Sequence, residues 1–453
     1  MITIRTFQDL LEVGDNEYNR MDFVRECISE YRSSDIYRKA RTAELYAKKQ
    51  NVTIMQYQKF LYTAQGKQVP DDFSPNYKLR SNFFYRFITQ ENQYLLGNGI
   101  TWTDDSTKEK LDPKFEYTLR KMGKNALTAG VCYGFYDYDK LKMFKATEYR
   151  PLIDETDGSH KAGIYFWQMA PTKPERAVLY ELDGYTEYMW EEGKGSIVRP
   201  KTAYKTTAIG DAIDEAQGTM VYDGENYPGF PIVPLYGNPE HQSELEGLRE
   251  QIDCYDLIKS GFANNVDEAG FIYWAIQNAG GMDEVDVAEF VQKMRTLHAA
   301  NMDDTGAKAE AHTVEVPTEA REALLTRISA DLYRDFMGLD TKEISGGAAT
   351  ATEIKAAYEP LDQKTDDYEA QIKEFLSDIL NLAGIEDTPT FTRRKIVNTA
   401  EEANMILASA PYTSSEYTTR KLLSLFGDMD KVEEVMAQQM NDEGARFESG
   451  EAE

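Results

Sequence analysis

The residues best able to do chemistry in this chain form small clusters. Asp137-Tyr138-Asp139 sets two carboxylates two positions apart, which could ligate the divalent cation of a nuclease. Such a centre needs several converging carboxylates and usually a nearby Lys or His, so a polar β-turn is the better reading. Gly66-Lys67 and Gly193-Lys194 each lack the glycine five positions upstream that a phosphate-cradling P-loop requires, so the chain is not a P-loop motor. Gly280-Gly281 and Gly346-Gly347 could wrap a phosphate. Neither carries a buried strand into a helix in the dinucleotide pattern, which favours a hinge or turn. Four histidines, no two at ligand spacing, leave little material for zinc. Tyr165, Phe166, Trp167, Tyr188 and Trp190 could stack a sugar or a base, but strand cores are built from the same residues and the core reading is preferred. We therefore expect no catalytic residue, no metal and no cofactor.

The elements around these clusters are better defined. From Thr318 to Phe336, residues Leu324, Leu325, Ile328, Leu332 and Phe336 step along one helix face. Gly338 and then Gly346-Gly347 interrupt the pattern. It resumes as Ile354, Tyr358, Leu361, Thr365, Tyr368, Ile372, Phe375, Ile379 and Leu382, with Thr350 and Glu353 as a capping box, Gly384 as a stop and Pro360 as an expected kink. That helix would be roughly 45–50 Å long at 1.5 Å per residue. Upstream, helices are expected through the first hundred residues, at Asn76 to Leu96, and at Phe115 to Ala129. Short strands follow at Ile164 to Met169, Arg176 to Leu182 and Tyr185 to Trp190, with Asp183-Gly184 as a hairpin turn. Ala203 to Gly218 reads as a long loop, and Asn238-Pro239 as the start of a helix running to Glu268. Between that helix and the one at Thr318 lie a strand (Phe271 to Ile276), a helix (Val285 to Leu297) and a second strand (Ala311 to Val316). After Gly384 come a strand (Thr388 to Arg394), three short helices (Ala400 to Ala408, Ser415 to Leu425, Lys431 to Gln439) and an acidic tail expected to be disordered.

With 453 residues, 41% of them apolar, the chain can bury a sizeable core. No apolar run approaches a membrane span and no secretory leader is evident, so no membrane contact is expected. A net charge of −28 argues against broad gripping of nucleic acid, which needs Lys and Arg to neutralise phosphates. An acidic wall that repels nucleic acid is still compatible with it. One segment reverses the sign: Tyr31 to Lys59 holds seven Lys/Arg against two acids, read first as a solvated helix face and second as a contact for an acidic partner. Three scattered cysteines, Cys27, Cys132 and Cys254, suit buried thiols in a reducing compartment.

Four stretches resemble the portal proteins of tailed bacteriophages, as found in long-tailed phages of Gram-positive bacteria. Asn76-Tyr77-Lys78-Leu79 through Tyr94-Leu95-Leu96-Gly97-Asn98-Gly99-Ile100 is similar to a family helix ending in a Tyr-Leu-x-Gly-x-Pro phrase, with Gly99 where Pro is common. Phe230-Pro231-Ile232-Val233-Pro234-Leu235-Tyr236-Gly237-Asn238, then Ser243-Glu244-Leu245-Glu246 and Leu257-Ile258-Lys259-Ser260, resembles the approach to the stem. Ser345-Gly346-Gly347-Ala348-Ala349-Thr350 resembles the start of the longest helix, and Thr419 to Leu423 matches a C-terminal phrase loosely. Together the stretches span about residues 75–440 in the family's order.

The resemblance implies an α+β portal-type fold without enzymatic activity, in a homo-oligomeric ring of about twelve subunits. It implies an α/β wing at 1–237 joined by a long kinked helix at 350–384, and a two-helix stem at 238–268 and 318–336. A small α/β clip would occupy 269–317 and a helical crown with the acidic tail 385–453. A tunnel loop at 337–349 would bring Gly338, Asp340, Lys342, Glu343, Ser345, Gly346 and Gly347 to a channel for double-stranded DNA. Implied partners are the terminase large subunit, major capsid and scaffolding proteins and a head-tail adaptor, at the portal vertex of a virion assembled in the host cytoplasm. A collar or adaptor ring without DNA translocation, and the metal-dependent nuclease, are the alternatives from other classes.

Overall fold

The computed structural model describes residues 5–62, 65–72, 74–104, 106–137, 140–214, 219–269, 273–277, 292, 308–312, 318–344, 351–395, 399–426, 431–432 and 434–438. Among the described residues helices and strands occur in segregated runs, so the α+β expectation holds. The chain divides into two compact units: residues 1–41, 87–244 and 336–453, and residues 42–86 and 245–335.

The first unit opens with α1 (Phe7–Val13) and α2 (Glu17–Ser33). In α2, Phe23, Cys27 and Tyr31, with Val24 and Ile28, recur at helical spacing and are all buried. They pack on a five-stranded antiparallel meander of β5 (Tyr149–Ile153), β6 (His160–Gln168), β7 (Glu175–Glu181), β8 (Gly184–Glu191) and β9 (Lys194–Thr202). Alternation along the strands puts Ala162, Ile164 and Phe166, Ala177 and Leu179, and Tyr188 and Trp190 under the helices. The aromatic run is core at Phe166, Tyr188 and Trp190, as expected. A buried bidentate pair, Arg20 to Glu181 at 2.8 and 3.0 Å, ties α2 to β7.

A second sheet, in the order β12-β3-β4, pairs β3 (Val131–Asp137) with β4 (Lys140–Lys145) and β12 (Ile232–Tyr236). It packs against α7 (Phe115–Ala129) and the 33-residue helix α11 (Ala351–Ala383). Gly134 on β3 has no side chain because one would lie 2.7 Å from the Phe375 ring of α11. The four-and-three spacing read along α11 is the buried face: Tyr358, Leu361, Thr365, Tyr368, Ile372, Phe375 and Ile379. Pro360 lies inside that helix on its exposed side.

Several expectations are corrected. Within Ala203 to Gly218, residues 205–214 are not a loop: β10 (Lys205–Asp214) pairs with β11 (Thr219–Glu225) in a polar hairpin, and residues 215–218 lie outside the described residues. Thr388 to Arg394 is an extended strap with one bridge, Thr101 to Thr390, held by the Arg394 N–H donating to the Tyr94 carbonyl at 2.9 Å. The helix expected from Asn238 starts at Arg249 instead, as α8 (Arg249–Ala269). His241 and Gly247 take positive φ, 55° and 80°, which no right-handed helix accommodates. The three C-terminal helices, by contrast, lie where expected: Thr399–Ser409 (α12), Ser415–Phe426 (α13), and a third helical stretch at the described residues 432 and 434–438.

The second unit contains α4 (Val52–Gln56), the short hairpin of β1 (Phe60–Tyr62) and β2 (Gln68–Pro70), α8, the paired strands β13 (Tyr273–Gln277) and β14 (Lys308–His312), and most of α9 (Thr318–Phe336). The expected helix at Asn76 begins only at Phe83, as α5 (Phe83–Leu96). Residues 77–81 lie extended along α8 instead. The Tyr77 N–H donates to Asn264 Oδ1 at 2.7 Å, Leu79 N–H to Ser260 Oγ at 2.9 Å, and Ser81 N–H to Asp256 Oδ1 at 2.8 Å. Four helical residues rise about 6 Å, close to the two-residue repeat of an extended chain. Side chains at positions i, i+4 and i+8 of a helix therefore act as a strand edge. Apart from Gln292, which is helical, the helix expected at Val285 to Leu297 lies outside the described residues, as do Gly280-Gly281 and the acidic tail.

Candidate functional site

The loop after α9 is built by residues far away in sequence. Phe336 ends α9 and stacks on Phe87 of α5, ring centroids 4.5 Å apart. Met337 takes the left-handed position, φ 63°, that often closes a helix. Gly338 does not have positive φ; it is needed for space. A Cβ there would lie 3.0 Å from the Phe336 ring and 3.1 Å from Gln90 Oε1.

Gln90 clamps the next residue. Its Oε1 accepts the Leu339 N–H at 3.1 Å and its Nε2 donates to the Leu339 carbonyl at 2.9 Å, so one side-chain amide satisfies both backbone groups. The Leu339 side chain is buried with Tyr94, Tyr358 and Leu361. Asp340 Oδ1 then accepts the Lys342 N–H at 3.1 Å and leads into the single turn α10 (Thr341–Ile344), on which Lys342 is exposed. Glu343 lies in that turn. Ser345, Gly346, Gly347 and the Thr350 cap lie outside the described residues.

Beneath the loop sits a charged trio that sequence reading missed. Lys364 of α11 donates to the Phe336 carbonyl at 3.2 Å and its ammonium lies 3.5 Å from the Phe336 ring centroid. Glu244 pairs with it directly, while Glu91 of α5 stands 3.6 Å away and is 1% exposed. Burial pushes the Glu91 carboxyl up to about 8, against a smaller opposing pull from Lys364. The available signal was Glu91 at the helical step between Phe87 and Leu95, a charge on an otherwise apolar face.

The other candidates are not gathered into a site. Asp137 pairs with Lys142 and is opposite Lys140 across the β3–β4 turn, as a β-turn reading requires, and Asp139 lies outside the described residues. No group of metal ligands occurs among the described residues. The basic segment is partly engaged within the chain: Arg32 pairs with Glu175 at 2.6 Å and Lys49 lies over the Tyr85 ring. Cys27 and Cys132 are buried as expected, but Cys254 is exposed. No described helix is long and apolar enough to cross a membrane.

Comparison with known proteins is consistent across the chain. Residues 35–446 match the family described as phage portal protein, SPP1 Gp6-like. A portal protein of Bacillus phage SPP1 is 25% identical over 379 residues, 75% of this chain and 71% of that protein. A portal protein of Clostridium phage phiCD119 is 27% identical over 193 residues, 40% of this chain and 43% of that protein. Among solved structures, a chain from "Neck of native GTA particle computed with C12 symmetry" aligns over 75% of this chain and 89% of its own, at 11% identity and a TM-score of 0.38. With about nine-tenths of its length matched, this chain belongs to the SPP1 Gp6-like family of phage portal proteins.

Proposed function

We propose that copies of this chain close into a ring at one capsid vertex and form the conduit through which double-stranded DNA is packaged and ejected. The family match over residues 35–446 carries the reading. The uncovered half of α9 supports it: no residue from Thr318 to Ala330 is buried, although Leu324, Leu325 and Ile328 lie on one face. A neighbouring subunit would cover that face in a closed heterologous ring.

In this reading residues 1–237 with 350–384 are the wing, 238–268 and 318–336 the stem, 269–317 the clip and 385–453 the crown. Residues 337–349 are the tunnel loop, anchored at Leu339 and presenting Lys342 beyond the anchor. An acidic lining suits a conduit, because it keeps the phosphate backbone from binding tightly. Lys342 then offers one transient phosphate contact per subunit. The protein is not the motor: a terminase ATPase docked on the clip supplies the energy, and a head-tail adaptor takes that place later. Negative-stain imaging of the purified chain tests the reading; rings with a central channel are expected, and a field of monomers at micromolar concentration would overturn it.

A further inference from the structure

The hairpin of β1 and β2 is open on both faces. Alternate side chains of a strand face opposite ways, yet three consecutive apolar ones are exposed: Phe60 at 48%, Leu61 at 45% and Tyr62 at 73%. Met55, Tyr57, Tyr77 and Leu79, on the flanking segments, are exposed as well. A two-stranded ribbon with three residues per strand is marginal in water unless something packs on it. An apolar patch of this kind marks an interaction surface. Its charge is opposite to that of the chain: residues 55–80 carry four Lys/Arg against two acids, one of which, Asp71, is buried, whereas the whole chain is at −28. Lys67, Lys78 and Arg80 are all exposed.

We propose that this hairpin is an arm that docks on the acidic surface of a second copy of the chain. The inference rests on the ring reading and names one of its contacts. Charge complementarity selects the occupant, since the remainder of the same chain is strongly acidic. Duplex DNA would answer the cations but leave Phe60, Leu61 and Tyr62 in water, so a protein surface is the better fit. An arm on one surface and a receiving site on another make a contact that repeats from subunit to subunit.

The test compares the full-length chain with two variants, the triple Phe60→Thr/Leu61→Thr/Tyr62→Thr and the single Lys67→Glu. Assembly is followed by mass photometry across concentration and salt, and hydrogen exchange is read at the amides of 60–62 and 68–69. Both variants are expected to keep the subunit melting temperature within a few degrees and to raise the concentration needed for assembly at least about tenfold. Added salt should relieve the Lys67→Glu defect, and wild-type assembly should slow exchange in both strands. Normal assembly of both variants, or equal exchange in monomer and ring, overturns the proposal. Loss of binding to a 30-base-pair duplex with assembly intact would assign the arm to DNA instead. If the triple variant fails to fold, Lys67→Glu decides alone. A wild-type chain that never assembles refutes the ring reading itself, a different outcome from rings that ignore the arm.

Discussion

At the residue scale, the trio of Glu91, Lys364 and Glu244 controls how the end of α9 is held. Lys364 is committed to Glu244 and to the Phe336 carbonyl, so Glu91 faces a low-dielectric interior with only distant compensation. Its folded-state value of about 8 exceeds the ordinary 4.5, so between those pH values the folded chain keeps a proton that the unfolded chain has released. Stability from this group is therefore full below about pH 4.5 and falls as pH rises towards 8, by up to about 1.4 kcal/mol per pH unit. Glu91→Gln keeps the shape and removes the titration. Urea denaturation at pH 5.5, 7 and 8.5 should show the wild type losing ground to the variant as pH rises. A constant difference between the two would mean that Glu91 is ionised throughout. Glu244→Gln should instead destabilise at every pH, because it leaves Lys364 without its direct partner.

At the element scale, the ladder from residues 77–81 to α8 shows how one helix can replace a strand. Asp256 is fully buried and accepts both the Ser81 N–H and the Asn51 side-chain amide. Asp256→Ala would strand two donors in the interior, at a cost of about 2–4 kcal/mol by chemical denaturation. Asp256→Asn keeps an acceptor and should cost less. Hydrogen exchange at the Ser81 amide gives the local readout: it should speed up in the Ala variant while the amides of the β5–β9 sheet stay protected. Unchanged exchange at Ser81 would show that the segment is held by something other than the ladder. The loop after α9 uses the same device on a smaller scale, with Gln90 supplying both halves of a backbone pair to Leu339.

At the scale of the whole molecule, the uncovered face of α9 and the open hairpin point beyond the single subunit. Light scattering should give a species near about a dozen times 51.6 kDa, and a strict monomer at several salt concentrations would count heavily against the ring. Those rings should bind free duplex poorly at physiological salt, as their charge requires. The glycines beyond the Leu339 anchor give the functional test of the loop. Replacing Gly346 and Gly347 together with Ala removes conformations that only glycine adopts easily. Rings and capsid incorporation should survive, while the yield of DNA-filled heads drops. Normal filling would make these glycines ordinary turn residues, and loss of rings would make them folding determinants.

Sequence pattern alone located the elements whose faces are covered locally and regularly. The helix Phe115–Ala129 and the strands either side of Asp183-Gly184 form within a residue or two of where the pattern puts them, and α11 ends at Ala383 just before Gly384. Buried apolar side chains repeat with the period of their element, and that repeat is written in the chain. Tertiary structure decided what carries no such repeat. Residues 77–81 are extended because Asp256, Ser260 and Asn264, about 175 to 187 positions away, take their N–H groups. The β10–β11 hairpin is polar and is defined by backbone pairing, which side-chain hydropathy does not report. Gln90, Lys364 and Glu244 matter for the same reason: a hydrogen bond or ion pair depends on which distant group arrives, and only the folded chain brings Leu339 and Phe336 to them.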